Sequence, residues 1–313
     1  MTRKDVFLDL GGFDEGYEDI YQDCDLAMKM NLSGYRNLVI RSCKATHLGN
    51  ATRGPTTSDS PTMNRDRSVF KDRWNPQLSK IVHRPEPQIS VITCVNNEKL
   101  YRGMVDSFPQ LKSGLVEAVP VANFDGKLNI PQALNIGLDA ARGKIFIFCH
   151  QDILFEKNWM AHFINAVKKL NGHFGVIGFE GISAEGVPHS CKQLPSSNTQ
   201  QVLTIDELCL ITSDRTLRFR EDLTWHFYGA DICLQAAKKG YTNYLTGARV
   251  THLSGGGPNI ERDRELFKRD ARLFWSKWRK KYNFVRTTTT RFYTDKITFD
   301  ILGHILGTIP AKG

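Results

Sequence analysis

Residues 143–152 read GKIFIFCHQD, a glycine and a lysine followed by five apolar residues and a polar triplet. Ile145, Phe146, Ile147, Phe148 and Cys149 are apolar on both alternating faces, and a strand without a polar face belongs in the middle of a sheet covered on both sides. The stretch reads as a buried central strand of an α/β sheet. In such sheets the ligand crevice lies beyond the carboxyl ends of the strands, so His150, Gln151 and Asp152 emerge where a ligand would sit. An imidazole and a carboxylate two residues apart on extended chain point to the same side, which suits one divalent metal with open positions for a phosphate. The competing reading is a strand-terminal turn in which Asp152 caps the next helix.

Upstream, NIPQALNIGLDAAR (residues 129–142) spaces Ile130, Ala133, Leu134, Ile136, Gly137, Leu138 and Ala140 as a helix, with Gly143 as its stop. The order of strand, variable segment, A-x-N-x-G-x-x-x-A-x-G helix, apolar strand and acidic turn resembles glycosyltransferase family 2, whose domain has the GT-A nucleotide-sugar-binding fold. Ala133, Asn135, Gly137, Ala141, Gly143 and the triplet carry the resemblance. His150 replaces the first aspartate of the family's D-x-D triplet, similar to a branch that reads H-Q-D, and Asp152 keeps the metal-ligand position.

The resemblance implies an α/β GT-A domain, a mixed sheet flanked by helices. It implies a hexosyltransferase of polysaccharide biosynthesis, inverting and dependent on Mn²⁺ or Mg²⁺. Sugar would pass from a UDP- or GDP-type donor to a glycan, lipid-linked or protein acceptor. The alternative is a catalytically inactive carbohydrate- or nucleotide-binding module, or a scaffold domain. Donor contacts fall by position on Thr93, Val95, Asn96 and Asn97 at the end of the strand in QISVITCVNN (residues 88–97), on Asp125 in the turn after strand 116–122, and on Asn135 and His150. Asn96 and Asn97 also read as residues that turn the chain and cap the helix over 98–111. Asp206 and Glu207, in the strand VLTIDELCLIT (202–212), stand where the family contacts donor and acceptor.

EDLTWHFYGAD (221–231) gathers acids, a tryptophan, a histidine and a tyrosine. Inverting transfer needs a group to take the acceptor hydroxyl proton while cations stabilise the leaving diphosphate. Asp222, His226 and Asp231 are the candidates for that base, with helix capping as the other reading of Asp231. Trp225 and Tyr228 offer faces for sugar stacking or for the core. His252, after a strand over 244–251 and before the glycine run SGGGP, is similar to the carboxyl-terminal histidine that completes the metal shell with Asp152 in several GT-A enzymes. Residues 157–170 read as a helix and 174–179 as a strand, and 180–201 as a long loop of the kind that covers a ligand.

Residues 1–50 and 219–256 repeat the same order: Asp25-Leu26 matches Asp231-Ile232, Gly34-Tyr35 matches Gly240-Tyr241, and Thr46-His47-Leu48 matches Thr251-His252-Leu253. In family 2 this pattern is the acceptor-side half of the domain. Residues 1–84 therefore resemble the remnant of a first module, 85–285 a GT-A domain and 286–313 a basic, apolar tail. A fragment of a tandem protein, or an internal start, is the expected origin. The family's base position falls on Asp23 in the first copy and on Gly229 in the second.

The composition, 41% apolar and 24% charged over 313 residues, is that of a globular protein. Seven scattered cysteines without C-x-x-C spacing argue for a reducing compartment, against a disulfide framework or structural zinc. Neither an apolar leader nor a run of 18 apolar residues is present, so a cytoplasmic protein, at most peripheral at the inner membrane face, is expected. The net charge is +9, and residues 261–296 hold 12 Lys/Arg against 5 Asp/Glu. Such a patch suits anionic headgroups or a polyanionic acceptor, or is a solvated helix face. Nucleic acid is disfavoured, because no recognised binding module is present. The tail ITFDILGHILGTIP (297–310) is too short to span about 30 Å of hydrocarbon. It is expected to pack as a terminal core helix or to lie in a membrane interface.

Overall fold

The computed structural model describes residues 2–38, 60–82, 87–112, 114–253, 264–301 and 304–311. The chain forms two compact units, Met1–Arg84 and Pro85–Gly313.

The first unit contains α1 (Lys4–Asp9), α2 (Gln22–Leu32) and α3 (Pro61–Val82). Two buried carboxylates hold α2 and α3 together. Asp25, in the first turns of α2, accepts from Nε1 of Trp74 at 2.9 Å and a guanidinium nitrogen of Arg73 at 3.0 Å, and pairs with Lys29 one turn on. Burial opposes its charge, but these donors outweigh burial and hold the carboxyl below its usual range. Asp66 of α3 accepts from the backbone N–H groups of Asp19 at 2.7 Å and Ile20 at 3.0 Å, just before α2.

In the second unit the elements run β1 (Ile89–Val95), α4 (Glu98–Asp106), β2 (Val116–Ala122), α5 (Ile130–Ala140), β3 (Ile145–Cys149), β4 (Ile153–Phe155), α6 (Trp159–Lys169), β5 (Ile177–Gly178), β6 (Glu180–Ile182) and β7 (Pro188–Ser190). There follow β8 (Thr199–Val202), β9 (Thr204–Ile205), β10 (Cys209–Thr212), α7 (Tyr228–Lys238), β11 (Asn243–Thr246), β12 (Val250–His252), α8 (Arg264–Trp278), β13 (Phe284–Arg286), β14 (Thr290–Tyr293), β15 (Lys296–Ile301) and β16 (His304–Pro310). The main sheet is ordered β2-β1-β3-β10-β5-β11-β8, with β3 parallel to β1 and antiparallel to β10. This is the mixed α/β sheet flanked by helices that the resemblance implies.

Strand β3 is buried on both faces, as its sequence requires. Phe146 and Phe148 enter one core with Leu134 and Leu138 of α5, while Ile147 and Cys149 enter another with Met104 of α4 and Trp159 of α6. Each of the buried Phe, Ile, Leu and Met side chains contributes roughly 1.5–3 kcal/mol. Helix α5 starts on a capping box between Asn129 and Gln132 and packs closely on β1, since a β-carbon on Gly137 would fall 2.3 Å from Cγ2 of Ile92. Gly143 is not the helix stop that its position suggested. Its open face meets the backbone of Ile89 and Ser90, and no side chain fits there.

Two expectations change. The segment 180–201 is no open lid; its short strands β6 and β7 pair with each other and β6 with β9, and β8 pairs with β11. The tail is not a helix in either of its expected settings, because β13 to β16 form an antiparallel sheet. Val285, Phe292, Ile297 and Phe299 from that sheet join the core of Phe227, Phe267, Phe274 and Trp275. The tail thus packs on the second unit through these side chains, as a sheet and not as a helix, while Ile305 and Leu306 of β16 stay exposed. No helix among the described residues is long and apolar enough to cross a membrane.

The two units repeat a common arrangement around one helix, with a buried aspartate in the helix bonded to a tryptophan and a basic side chain of a later helix. α2 and α7 each have 11 residues and a left-handed residue before them, Tyr21 with φ 74° and Phe227 with φ 65°. Asp231 matches Asp25, accepting from Nε1 of Trp278 at 2.7 Å, from Lys277 at 2.9 Å and from Gln235 at 2.7 Å. Asp270 matches Asp66, accepting from the backbone N–H groups of Thr224 at 2.9 Å and Trp225 at 3.2 Å.

Candidate functional site

The turn between β1 and α4 is tied to the end of β3 by one amide. The side-chain oxygen of Gln151 accepts from the backbone N–H groups of Asn96 at 3.0 Å and Asn97 at 2.9 Å, and its NH₂ donates to Oδ1 of Asn96. Asn97 caps α4, accepting from the N–H of Leu100 at 3.2 Å. Two strand ends are thereby fixed beside a helix N-terminus, where the dipole favours anionic groups.

Asp152 sits immediately before β4, and β4 pairs antiparallel with β12 so that His252 lies opposite Ile153. The N–H of Leu253 donates to the carbonyl of Asp152 at 2.9 Å, completing the register. As a result Nε2 of His252 lies 3.2 Å from Oδ2 of Asp152, and Nδ1 of His150 lies 4.0 Å from Oδ1. One ligand atom from each of His150, Asp152 and His252 falls within 4.8 Å of the others. The bond to Asp152 raises the imidazole of His252 above its usual pKa, whereas burial lowers that of His150 against the opposing carboxylates of Asp152 and Asp206. Two imidazoles and one carboxylate on one side match a transition ion such as Mn²⁺ with open positions; Mg²⁺, which prefers oxygen ligands, matches less well.

A second wall comes from the break between β9 and β10. The N–H of His150 donates to the carbonyl of Leu208 at 3.1 Å, and its Nε2 is 3.3 Å from the hydroxyl of Tyr228. In the break, Asp206 accepts from the N–H of Leu208 and from Oγ1 of Thr288, both at 3.1 Å. The carboxylate of Glu207 faces its own backbone N–H and those of Gly229 and Phe227 at the start of α7. Burial, and then the charge of Asp206, push that carboxyl up to about 8 despite these donors.

The structure therefore brings together His150, Asp152, His252, Asp206 and Tyr228. His150, expected as a donor contact, stands within the metal-type cluster. Tyr228 is buried with its ring in the core, so it offers a hydroxyl to His150 and no face to a sugar. Thr93 and Val95 are buried in β1, Thr93 against Sγ of Cys149 at 3.3 Å, and leave only Asn96 and Asn97 of that group at the surface. Asn135 is also buried; it donates to the carbonyl of Phe219 and to Glu221 at 2.8 Å each and so shapes the 219–221 segment. Asp125 is exposed in its turn and paired with Lys127 at 2.9 Å.

Among the three base candidates, Asp231 is fully buried and its oxygens are taken by Trp278, Lys277 and Gln235. As at Asp25, a tryptophan and a basic side chain of a later helix meet the carboxylate, and the bonds make a joint between helices. Asp222 is exposed and paired with Arg220. His226 is part-buried, edge-on to Phe267 with centroids 4.7 Å apart, next to the half-exposed ring of Trp225. Gln151 emerges with the triplet in the sequence, but its closing of the Asn96–Asn97 turn is visible only in the structure.

The model of a family described as a glycosyltransferase-like family matches residues 90–194. No curated protein matches the chain. Among solved structures, residues 1–349 of S. aureus TarS in complex with UDP are 17% identical, with a TM-score of 0.41 over 60% of this chain and 64% of that one. GalNAc-T7 with UDP, GalNAc and Mn²⁺ is 11% identical, with a TM-score of 0.37 over 63% of this chain and 51% of that one. The chain spans less than two thirds of the length of either.

Proposed function

We propose that residues 85–313 form a metal-assisted glycosyltransferase that moves a sugar from a nucleotide-sugar donor to a hydroxyl acceptor with inversion. The observation that carries this reading is the His150–Asp152–His252 cluster at the carboxyl end of β3, inside and beside the stretch that matches a glycosyltransferase-like family. His150, Asp152 and His252 would hold a divalent ion, and that ion, when bound, supplies positive charge for the diphosphate leaving group. Asn96, Asn97 and the N-terminus of α4 face the donor's anionic side, held open by Gln151. Trp225, about half exposed, receives the acceptor sugar by stacking. Residues 1–84 are read as the acceptor-side part of a further module, on the matched Asp25–Trp74 and Asp231–Trp278 joints.

Thermal shift and calorimetry of the full chain with a panel of UDP- and GDP-sugars, with and without manganese, test the reading. The expected result is manganese-dependent binding of at least one donor and slow release of its nucleoside diphosphate. Both are lost in Asp152→Ala. A chain that binds no nucleotide-sugar under any of these conditions defeats the proposal, and binding without turnover marks an inactive module.

A further inference from the structure

The repeat leaves one position of the second unit chemically empty. Asp23 is the second residue of α2, exposed two residues before the buried Asp25; its counterpart, the second residue of α7, is Gly229. A side chain cannot simply be restored there. A β-carbon on Gly229 would fall 2.9 Å from the carbonyl oxygen of Ile205 and 3.2 Å from Cγ of Glu207. The space over the start of α7 that a residue at 229 would use is thus filled from the β9–β10 break, by the carbonyl of Ile205 and by the backbone N and side-chain methylene of Glu207, whose carboxylate faces the N–H groups of Phe227 and Gly229.

We infer that Glu207 is the general base of the second unit, reaching from the sheet into the place that Gly229 leaves without a side chain. This rests on the transferase reading above. In the step, the acceptor hydroxyl proton passes to the Glu207 carboxylate while the acceptor oxygen bonds to the donor's anomeric carbon. The bond from that carbon to the diphosphate oxygen breaks, and its electron pair leaves with the nucleoside diphosphate. Glu207 then returns the proton to solvent.

The surroundings suit that task. Glu207 lies between Asp206 and Leu208 in the β9–β10 break, and the carbonyl of Leu208 accepts from the N–H of His150, so Glu207 borders the metal-type cluster without belonging to it. The ionisable groups around it are Asp206 beside it and Tyr228 and Cys233 on α7, and burial raises both of the latter. Neither Tyr228 nor Cys233 competes for the proton near neutrality. A carboxyl held near the working pH takes a proton more effectively than an ordinary exposed acid.

A structural reading of Glu207, as an acceptor for the N–H groups of Phe227 and Gly229, predicts something different. Glu207→Gln keeps an oxygen for those groups and removes only the ability to accept a proton. The test compares the full wild-type chain with Glu207→Gln and Glu207→Asp, with manganese and the donor panel. It reads nucleoside diphosphate release against pH, affinity for UDP with manganese, and the melting temperature.

The expected result is a loss of about 100-fold or more in release by the Gln variant, with UDP affinity unchanged and no fall in melting temperature. The Asp variant should keep a measurable fraction of the activity, with a shifted pH midpoint. A folded Gln variant that releases product at the wild-type rate overturns the inference and leaves the transferase reading intact. A Gln variant whose loss comes with weakened UDP binding or a lowered melting temperature assigns Glu207 a structural role and also overturns it. If the wild-type chain releases nothing from any donor, the transferase reading itself falls and this inference with it.

Discussion

Nε2 of His252 lies 3.2 Å from Oδ2 of Asp152 because β12 and β4 pair in a single register, with His252 opposite Ile153. A shift by one residue would turn the imidazole to the other face of the ribbon. The metal-type cluster is therefore a product of strand pairing as much as of residue type. Replacing any one of His150, Asp152 and His252 by Ala should weaken manganese binding by about tenfold or more, read by calorimetry with manganese alone. Normal manganese affinity in His252→Ala would reduce the contact to a plain ion pair and remove His252 from the site.

The carboxyl-terminal sheet is expected to behave as core. Phe292 is fully buried, and its ring centroid lies 4.9 Å from that of Phe274 and 5.4 Å from that of Phe227, the residue that precedes α7. Phe292→Ala should cost about 3–5 kcal/mol by the lost burial and the cavity left behind. Deletion of residues 297–313 should unfold the second unit outright, measured by the near-ultraviolet circular dichroism of its aromatic residues. A soluble, cooperatively melting deletion variant would show the sheet to be an appendage.

How much of this was written in the sequence depends on the range over which each feature is set. Strand β3 and helix α5 were legible because their apolar spacing is local and unambiguous, and the repeat was legible because residue order survives in both copies. The tail misled because ITFDI satisfies two periods at once. Ile297, Phe299 and Ile301 alternate as a strand does, while the longer run also fills a helical face. The H-Q-D triplet and His252 marked the metal-type cluster. What no local pattern marked was the role of Gln151, whose amide meets Asn96 and Asn97 from another strand, or of Glu207, whose place depends on where the strand over 202–212 breaks. The same limit applied to Asp231, a plausible base by composition and a helix joint by structure.

That joint predicts a dissociation of stability from chemistry. Asp231→Asn removes the charge that Lys277 pairs with and disturbs the bond from Trp278. Breaking such a buried pair should lower stability by about 3 kcal/mol, seen as a lower denaturant midpoint. If Asp231 is only a joint, the pH profile of donor turnover by the folded variant keeps the wild-type midpoint. Loss of that pH dependence with little change in stability would restore Asp231 as the base.

The last expectation concerns Glu207 and stability. Its carboxyl is pushed up to about 8 in the folded chain, first by burial and then by Asp206, whereas in the unfolded chain a glutamate titrates near about 4.3. Between these values the folded state keeps a proton that the unfolded state has released. Folding then binds a proton, so the contribution of Glu207 to stability is fully present below about pH 4 and is lost as pH rises through about 8. Glu207→Gln has no such proton to lose. The difference in melting temperature between the Gln variant and wild type should therefore grow in favour of the variant from about pH 5 to about pH 9. Taking the difference cancels the other titrating groups, and Tyr228 and Cys233, both raised by burial, stay protonated throughout that range. A difference that stays constant with pH would mean that Glu207 ionises as an ordinary exposed acid, with no raised carboxyl at the start of α7.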